Sequence, residues 1–288
     1  MEYLINLAIL FSIYSMLALS LNMVIGMSGL VSLAQAAFYG IGAYATAIGM
    51  TKLGLGFFGT IFLGILINVV IALVVGKILA RFQYDYYAIV SAGLSVIVFS
   101  VLLNWKSVTN GALGIYGIGK PNIAGYSFYS NSAFLGLTVA FAIITYVLYV
   151  WIDRSSFGRV LKALREDEKL TQSMGYKTKH YKSFIFTLSA ALSGIAGSFF
   201  ASYIAFIDPS TFQLKEGIFL FTIIVVGGLS SALGSVVGAL VLISLPEVLR
   251  FIGLPYETAA QLQQIIYGAM LLLMMILKPQ GLFGKYRM

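Results

Sequence analysis

Residues 153–182, DRSSFGRVLKALREDEKLTQSMGYKTKHYK, form the only long charged stretch in an otherwise apolar sequence. This stretch holds 8 of the 18 lysine and arginine residues of the chain. Apolar runs of membrane-spanning length flank it at 133–152 and 184–207. Because basic loops of membrane proteins stay on the cytoplasmic side, a basic, amphipathic loop between two spans predicts a cytoplasmic docking surface.

The rest of the chain is too apolar for a soluble domain. Charged residues make up 10% of the sequence, against about 25% in soluble domains. A spanning helix needs about 20 apolar residues, and the candidate runs are 3–25, 33–50, 57–79, 88–105, 133–152, 184–207, 217–245 and 259–277. The run 217–245 contains several glycines and is either two short spans or a re-entrant pair, with the reversal predicted at Gly227–Ser231. We predict an all-α integral membrane protein, one polytopic helical bundle over residues 1–288 with about eight transmembrane helices, some broken or re-entrant.

The other basic residues set the orientation of this bundle. Lys77 and Arg81 follow the third apolar run, and Lys278 follows the last one. Together with the loop 153–182, they predict a single cytoplasmic side. Residues 105–132 then form an extracytoplasmic loop, and residues 208–216 lie outside as well.

Two short segments resemble each other. Gly29-Leu-Val-Ser-Leu33 is similar to Gly228-Leu-Ser-Ser-Ala232, and further glycines follow both. Glycine-interrupted apolar segments in corresponding halves are typical of broken helices and internal repeats in transporters. The alternative is that small residues only allow close helix packing.

The sequence offers little for catalysis. It has no cysteine, a single histidine (His180) without metal-ligand spacing, and no Gly-x-x-x-x-Gly-Lys-Ser/Thr phosphate-binding motif. Intramembrane carboxylates, which are typical of proton relays, are nearly absent. The net charge of +8 is explained by cations at the ends of the spans. We therefore predict no catalytic residue, no metal, no cofactor and no nucleic-acid partner.

The polar residues within the spans are neutral. The candidates for a translocation path are Asn22, Ser32, Gln35, Ser91 and Ser95. Ser91 and Ser95 are four residues apart, so they share one helix face. A weakly polar face suits a path that must not hold its solute tightly, and the alternative is ordinary hydrogen bonding between helices.

The basic loop predicts one amphipathic helix of about four or five turns over residues 157–175. Ser155 or Ser156 caps its start, and Gly175 ends it. Its apolar stripe consists of Phe157, Leu161, Leu164, Leu170 and Met174, and its other faces carry Arg159, Lys162, Arg165 and Glu166.

Such a stripe fits a groove on a partner protein. The alternative is a helix lying in the lipid interface. The carboxylates of Glu166-Asp-Glu168 favour the protein partner, since anionic headgroups would repel them.

Five blocks of sequence together resemble one known family. They are 29–44 (GLVSLAQAAFYGIGAY), 154–168 (RSSFGRVLKALREDE), 189–197 (SAALSGIAG), 227–234 (GGLSSALG) and 278–284 (KPQGLFG). In this order they resemble the branched-chain amino acid ABC transporter permeases, and the block 29–44 is similar to the M-type subunit of that family. Residues 109–114 depart from the outer motif of the family, and permeases for urea, short amides and other amino acids are similar, so the solute stays open within this group.

The resemblance implies an importer of a prokaryotic inner membrane, surrounded by lipid. Its parts would be two homologous permeases, two cytoplasmic ATP-binding subunits that hydrolyse the ATP, and an extracytoplasmic solute-binding protein. By position, residues 157–175 would be the coupling helix, with coupling residues Phe157, Gly158, Arg159, Leu161, Lys162, Leu164, Arg165, Glu166 and Gly175. The alternatives are an autonomous secondary transporter or channel for a small neutral or zwitterionic solute, and a membrane-embedded scaffold subunit.

Overall fold

The computed structural model describes residues 2–82, 84–123, 126–127, 130–251, 256–278 and 280–284. Twelve α-helices lie in these residues: α1 Glu2–Ser28, α2 Gln35–Thr51, α3 Phe57–Leu79, α4 Tyr84–Asn104, α5 Lys106–Thr109, α6 Asn131–Arg154, α7 Ser156–Glu166, α8 Glu168–Ser173, α9 Thr178–Ile204, α10 Leu214–Gly227, α11 Ala232–Phe251 and α12 Tyr256–Leu277. Each predicted apolar run therefore contains at least one helix, as expected of an all-α membrane protein.

Short elements cover the end of the bundle opposite the basic loop. The strands are β1 Ile115–Tyr116, β2 Asn122–Ile123, β3 Tyr126–Ser127 and β4 Phe206–Ile207, and the 3-10 turns are Gly111–Leu113 and Pro209–Phe212. β1 pairs antiparallel with β4, placing Ile115 opposite Ile207. β2 pairs with β3. The segment 105–132 is thus structured through its described residues. We call the end of the bundle that carries these strands and turns the opposite end. The end that carries residues 153–182 is the basic end.

Five helices are long and apolar enough to cross a membrane, namely α1, α3, α4, α6 and α9. α10 and α11 pass the same test only as a pair, bent by 118°. This bend confirms the predicted reversal at residues 227–231. α2 has 17 residues, and the described apolar part of α12 is also short, at Gln261–Leu277. The search of the described residues therefore gives five or six candidate spans and does not confirm the predicted eight.

Helices α1, α2 and α9 form the centre of the bundle. α1 and α9 are the most buried of the long helices. Gly42 of α2 lies directly against the backbone of Gly194 in α9, and a side-chain carbon at Gly42 would collide with the Gly194 carbonyl oxygen. Small residues thus bring two backbones into contact, which is how apolar helices pack closely in lipid.

Two non-helical segments interrupt the bundle, and they coincide with the two segments that resemble each other in sequence. The first break is residues 29–34, between α1 and α2, and the second break is residues 228–231, between α10 and α11. Each starts at a glycine with positive φ, +70° at Gly29 and +124° at Gly228. Residues with a side chain rarely adopt a positive φ, so both positions favour glycine.

The segment 208–216, predicted to lie outside, reaches further into the bundle than a surface loop. β4 pairs with β1 at the opposite end, but the chain then descends into the bundle. Phe212 is buried between the rings of Tyr39 and Tyr44 of α2. Glu216 lies in the first turn of α10, where it meets Tyr14 near the middle of α1.

Candidate functional site

Helix α7 begins as predicted and packs its apolar stripe against the chain's own spans. The Ser155 hydroxyl caps it by accepting a hydrogen bond from the Gly158 backbone N–H at 3.1 Å. Leu161 and Leu164 are buried. Gly158 lies directly against the Ile152 carbonyl at the end of α6, where a side-chain carbon would collide. Leu161 and Leu164 therefore hold the helix in place and are not available to a partner's groove.

The predicted single helix over 157–175 is wrong at one residue. Asp167 is extended, with φ −152° and ψ 110°, and it separates α7 from α8. Its Oδ1 accepts from the Leu170 backbone N–H at 3.0 Å, so it caps the second helix. Gly175, with φ +89°, follows the end of α8 as expected of a helix stop.

A buried ion pair ties α8 to the start of α9. Lys182 Nζ lies 2.6 Å from Glu168 Oε2, and the lysine side chain is only 2% exposed. Thr178 also donates to Glu168, at 3.2 Å. Because a buried charge is costly without its partner, this contact fixes the position of α8 relative to the bundle.

The outer surface of α7 and α8 carries both charge and apolar area. Arg159 and Glu166 are exposed, while Lys162 pairs with Asp153 at 2.6 Å. Leu170 is 54% exposed and Met174 is 64% exposed. These two residues do not continue the buried stripe, because the helix is interrupted at Asp167. We call Arg159, Lys162, Glu166, Leu170 and Met174 the docking surface.

The sequence predicts Arg165 on the charged face of α7, but the structure buries it away from the docking surface. Its side chain is 9% exposed. Its Nη1 donates at 2.5 Å to the carbonyl oxygen of Gly26, in the last turn of α1. A cation at a helix C-terminus is stabilised by the helix dipole. Its aliphatic part packs on Gly29, where a side-chain carbon would lie 2.6 Å from Arg165 Cγ. Arg165 therefore joins α7 to the first break.

Asn22 of α1 holds the second break. Its Nδ2 donates to Ser235 Oγ at 2.7 Å, to the Ser231 carbonyl at 3.1 Å and to the Gly228 carbonyl at 3.3 Å. Its Oδ1 accepts from the Ser230 backbone N–H at 3.0 Å. The amide thereby replaces the hydrogen bonds that the interrupted helix cannot make.

Ser91 and Ser95 hold the first break. Ser91 Oγ accepts from the Leu33 backbone N–H at 3.0 Å, and Ser95 Oγ donates to the Leu33 carbonyl at 2.7 Å. Ser32 Oγ accepts from the backbone N–H of Ala34 at 3.3 Å. The shared helix face predicted for Ser91 and Ser95 is confirmed, and both side chains point at the same backbone residue.

Gln35 joins three helices in a buried polar cluster. Its Nε2 donates to Ser20 of α1 at 2.5 Å, and to Ser189 at 3.1 Å and Ser193 in α9. The cluster is closed by the Ser189 hydroxyl, which donates to the Ser20 carbonyl at 2.6 Å. The five predicted path residues are thus all buried, and their hydrogen bonds brace the breaks and the central helices.

The second break and α7 both contact Gly26, and the first break contacts α7 through Gly29 and Arg165. Gly26 accepts the bond from Arg165, and a side-chain carbon there would collide with Asn22 Oδ1 and lie 2.5 Å from the Ser230 backbone nitrogen. Hydrogen bonding and close packing thus connect α7 to the end of α1 and to both breaks.

The C-terminal block covers the second break. The backbone N–H groups of Leu282 and Phe283 donate to the carbonyls of Val226 and Gly227, each at 2.9 Å. Gly281 and Gly284 pack on Gly228. The last carbonyls of α10 are therefore satisfied by the end of the chain.

A family model described as the permease component of branched-chain amino acid transport systems matches residues 3–275. The chain belongs to this family. It is a multi-span membrane permease component, a class of subunit that lacks ATPase activity of its own. The resemblance found in the sequence is therefore confirmed.

Relatives match the permease over nearly its full length. It is 34% identical to the "High-affinity branched-chain amino acid transport system permease protein LivM" of Escherichia coli K12, over 98% of this chain and 70% of that protein. It is 26% identical to LivH of the same strain, over 99% of this chain and 96% of that protein. A chain of the solved structure "PsaBC from Streptococcus pneumoniae in complex with Fab" aligns over 97% of this chain and 93% of that chain. Its identity is 16%, and its TM-score of 0.45 is too low to support a conclusion.

Sequence reasoning missed one polar group in this permease. Glu216 accepts a hydrogen bond from the Tyr14 hydroxyl at 2.7 Å, inside the bundle. The two residues are 202 positions apart, and Glu216 follows a polar segment that reads as an outer loop. No local pattern signals that this segment descends between the helices. No cluster of metal-ligating side chains occurs in the described part of the chain.

Proposed function

We propose that this permease is one of two homologous permease subunits of an ATP-driven importer for branched-chain or related amino acids. Two cytoplasmic ATP-binding subunits would dock on the α7–α8 loop, and an extracytoplasmic solute-binding protein would deliver the solute at the opposite end. The similarity to both LivM and LivH of one organism supports a second homologous permease as the partner.

The observation that carries this proposal is the construction of the α7–α8 loop. Its inner side is fixed to the bundle by Leu161, Leu164 and the Lys182–Glu168 pair. Its outer side presents the docking surface, in which exposed apolar residues lie beside charged ones. An apolar centre with a charged rim is the usual composition of a protein interface. The basic character of the loop supports a cytoplasmic position, where ATP-binding subunits would be found.

The coupling would run through Arg165. Movement of the ATP-binding subunits would displace α7, and the bond from Arg165 to Gly26 would carry this displacement to the end of α1. Since the first and second breaks both pack there, they would serve as hinges between two access states. The path itself would open beside the braced polar residues Asn22, Ser32, Gln35, Ser91 and Ser95.

We also propose that all eight predicted apolar runs are embedded in the membrane. The run 217–245 would enter from the opposite end as α10, turn at the second break near the basic end and return as α11, consistent with the 118° bend. The first and second breaks would be corresponding elements of an internal repeat. Their similar sequences and their glycines with positive φ support this correspondence.

Charge substitution on the docking surface tests the proposed partner. The double variant Leu170→Glu, Met174→Glu is expected to lower recovery of the ATP-binding subunits at least about tenfold in a gentle detergent pull-down, because buried apolar contacts at an interface are lost. The matched control is Leu113→Glu, which is 80% exposed at the opposite end and is expected to recover them normally. Equal recovery from both variants would contradict the proposal. Solute uptake that survives loss of the ATP-binding subunits would instead favour an autonomous transporter.

A further inference from the structure

A cleft of about 480 Å³ lies between α1, α10, α11 and α12. The cleft is lined by both apolar and polar residues. Leu10, Phe219 and Leu242 contribute apolar surface, while Tyr14 and Glu216 contribute polar groups. Its volume falls in the range of about 300–1,000 Å³ that is typical of small-molecule sites. The cleft therefore suits a molecule with one aliphatic end and one charged end.

Glu216 is the unusual group in this cleft. Its carboxylate accepts from Tyr14 at 2.7 Å, but none of the three ion pairs in the described residues includes it. A second carboxylate, Glu247, lines the same cleft, and its buried Oε2 has no hydrogen-bond partner among the described residues. Ionisable groups within a membrane bundle are costly and usually mark a functional site with a partner of opposite charge.

We propose that this cleft is a solute site that binds the ammonium group of a zwitterionic amino acid through Glu216. The aliphatic side chain of the amino acid packs on Leu10, Phe219 and Leu242, and Lys215, which also lines the cleft, faces the carboxylate. Tyr14 is a positioning residue, since its hydroxyl orients the Glu216 carboxylate. This inference rests on the proposed function, because it assumes that the solute is an amino acid.

The position of the cleft fits a solute that enters from the opposite end. Leu7 and Leu10 place it along the first half of α1, on the far side of Tyr14 from the basic end. Gly217, next to Glu216, packs on the Leu33 carbonyl, where a side-chain carbon would lie 3.0 Å from the oxygen. Occupation of the cleft is thereby linked to the first break, and through Gly29 to Arg165.

Photo-labelling of the full transporter complex in lipid nanodiscs tests the site. The probe is photo-leucine, the diazirine analogue of leucine. Because the diazirine replaces part of the aliphatic side chain, labelled peptides are expected from α1, α10 and α11, which carry Leu10, Phe219 and Leu242. Leucine is expected to compete with the label at least about tenfold better than 4-methylpentanoate, which has the same carbon skeleton without the ammonium group, because a charged hydrogen bond is lost. Labelling outside these helices, or equal competition by the two compounds, would overturn the proposal.

Three variants separate binding from structure. Glu216→Gln is expected to reduce labelling at least about tenfold, and the control Glu2→Gln, exposed at the start of α1, is expected to label normally. Tyr14→Phe keeps the carboxylate that binds the ammonium group, so it is expected to retain labelling within about threefold. If Tyr14→Phe loses as much labelling as Glu216→Gln, the pair is structural and the site assignment is wrong. Recovery of the ATP-binding subunits with the unaltered chain tests the proposed function separately.

Discussion

Replacing Arg165 with glutamine is expected to lower ATP-driven solute uptake by about 10–100-fold while the permease still enters the membrane. The substitution removes a charged hydrogen bond to the Gly26 carbonyl, which is worth about 1.5–3 kcal/mol and corresponds to that change in an equilibrium. Without this bond, α7 moves with its partner but no longer carries the end of α1. Uptake and ATP hydrolysis, measured together in proteoliposomes of the full complex, show whether hydrolysis continues without transport.

Arg159→Gln is the matched control for this substitution. It removes one positive charge from the same helix, but Arg159 is exposed, and its described bond, from Nη1 to the Arg154 carbonyl, is 3.4 Å long. We expect it to weaken docking and leave the ratio of transport to hydrolysis unchanged. If Arg165→Gln lowers uptake and hydrolysis in the same proportion, Arg165 acts at the docking surface and the transmission through Gly26 is wrong.

Replacing Asn22 with leucine is expected to destabilise the permease by about 2–6 kcal/mol. Leucine leaves the Ser230 N–H and at least one of the carbonyls of Gly228 and Ser231 without their partner, and each buried unsatisfied group costs about 1–3 kcal/mol. The effect should appear as a lower thermal midpoint and a lower yield of monodisperse protein in detergent. Asn22 is thus expected to be required for the fold of the second break.

The control for Asn22 is Asn104→Leu. Asn104 is exposed at the end of α4, and its described side-chain bond is to the Ser100 carbonyl of its own helix, so we expect little change in stability. An Asn22→Leu protein that is as stable as Asn104→Leu but transports poorly would contradict the bracing role. That result would favour the role predicted from the sequence, in which Asn22 lines the translocation path.

The sequence predicts the features that depend on local chemistry. Ser155 as a cap and Gly175 as a stop follow from short-range backbone rules, and the structure confirms both. The reversal at residues 227–231 follows from consecutive glycines and is also confirmed. The kink at Asp167 also follows from local rules, because aspartate is a good N-cap residue for a helix that starts at Glu168. The apolar residues on both sides of Asp167 instead suggested one uninterrupted helix.

Features that depend on distant residues were not predicted. Arg165 reads as part of a charged helix face, and only the position of the α1 terminus shows that it is buried. Asn22 reads as a path residue because its four partners lie more than 200 positions away. Glu216 follows a polar segment, and only pairing and packing in three dimensions bring it to Tyr14. The spacing of residues in the sequence predicts which face of a helix they occupy, but not which other helices pack against that face.

The most direct test of the account is site-specific photo-crosslinking from the α7–α8 loop in the native membrane. A benzophenone side chain at position 170, which is exposed beside the charged residues of the docking surface, is expected to crosslink to an ATP-binding subunit. The same group at position 113, exposed at the opposite end, is expected to give no such product. A crosslink from 170 to an ATP-binding subunit would establish the loop as the docking site through which coupling must act. Its absence, with both variants inserted at equal levels, would contradict the central claim that ATP hydrolysis drives this permease through α7 and α8.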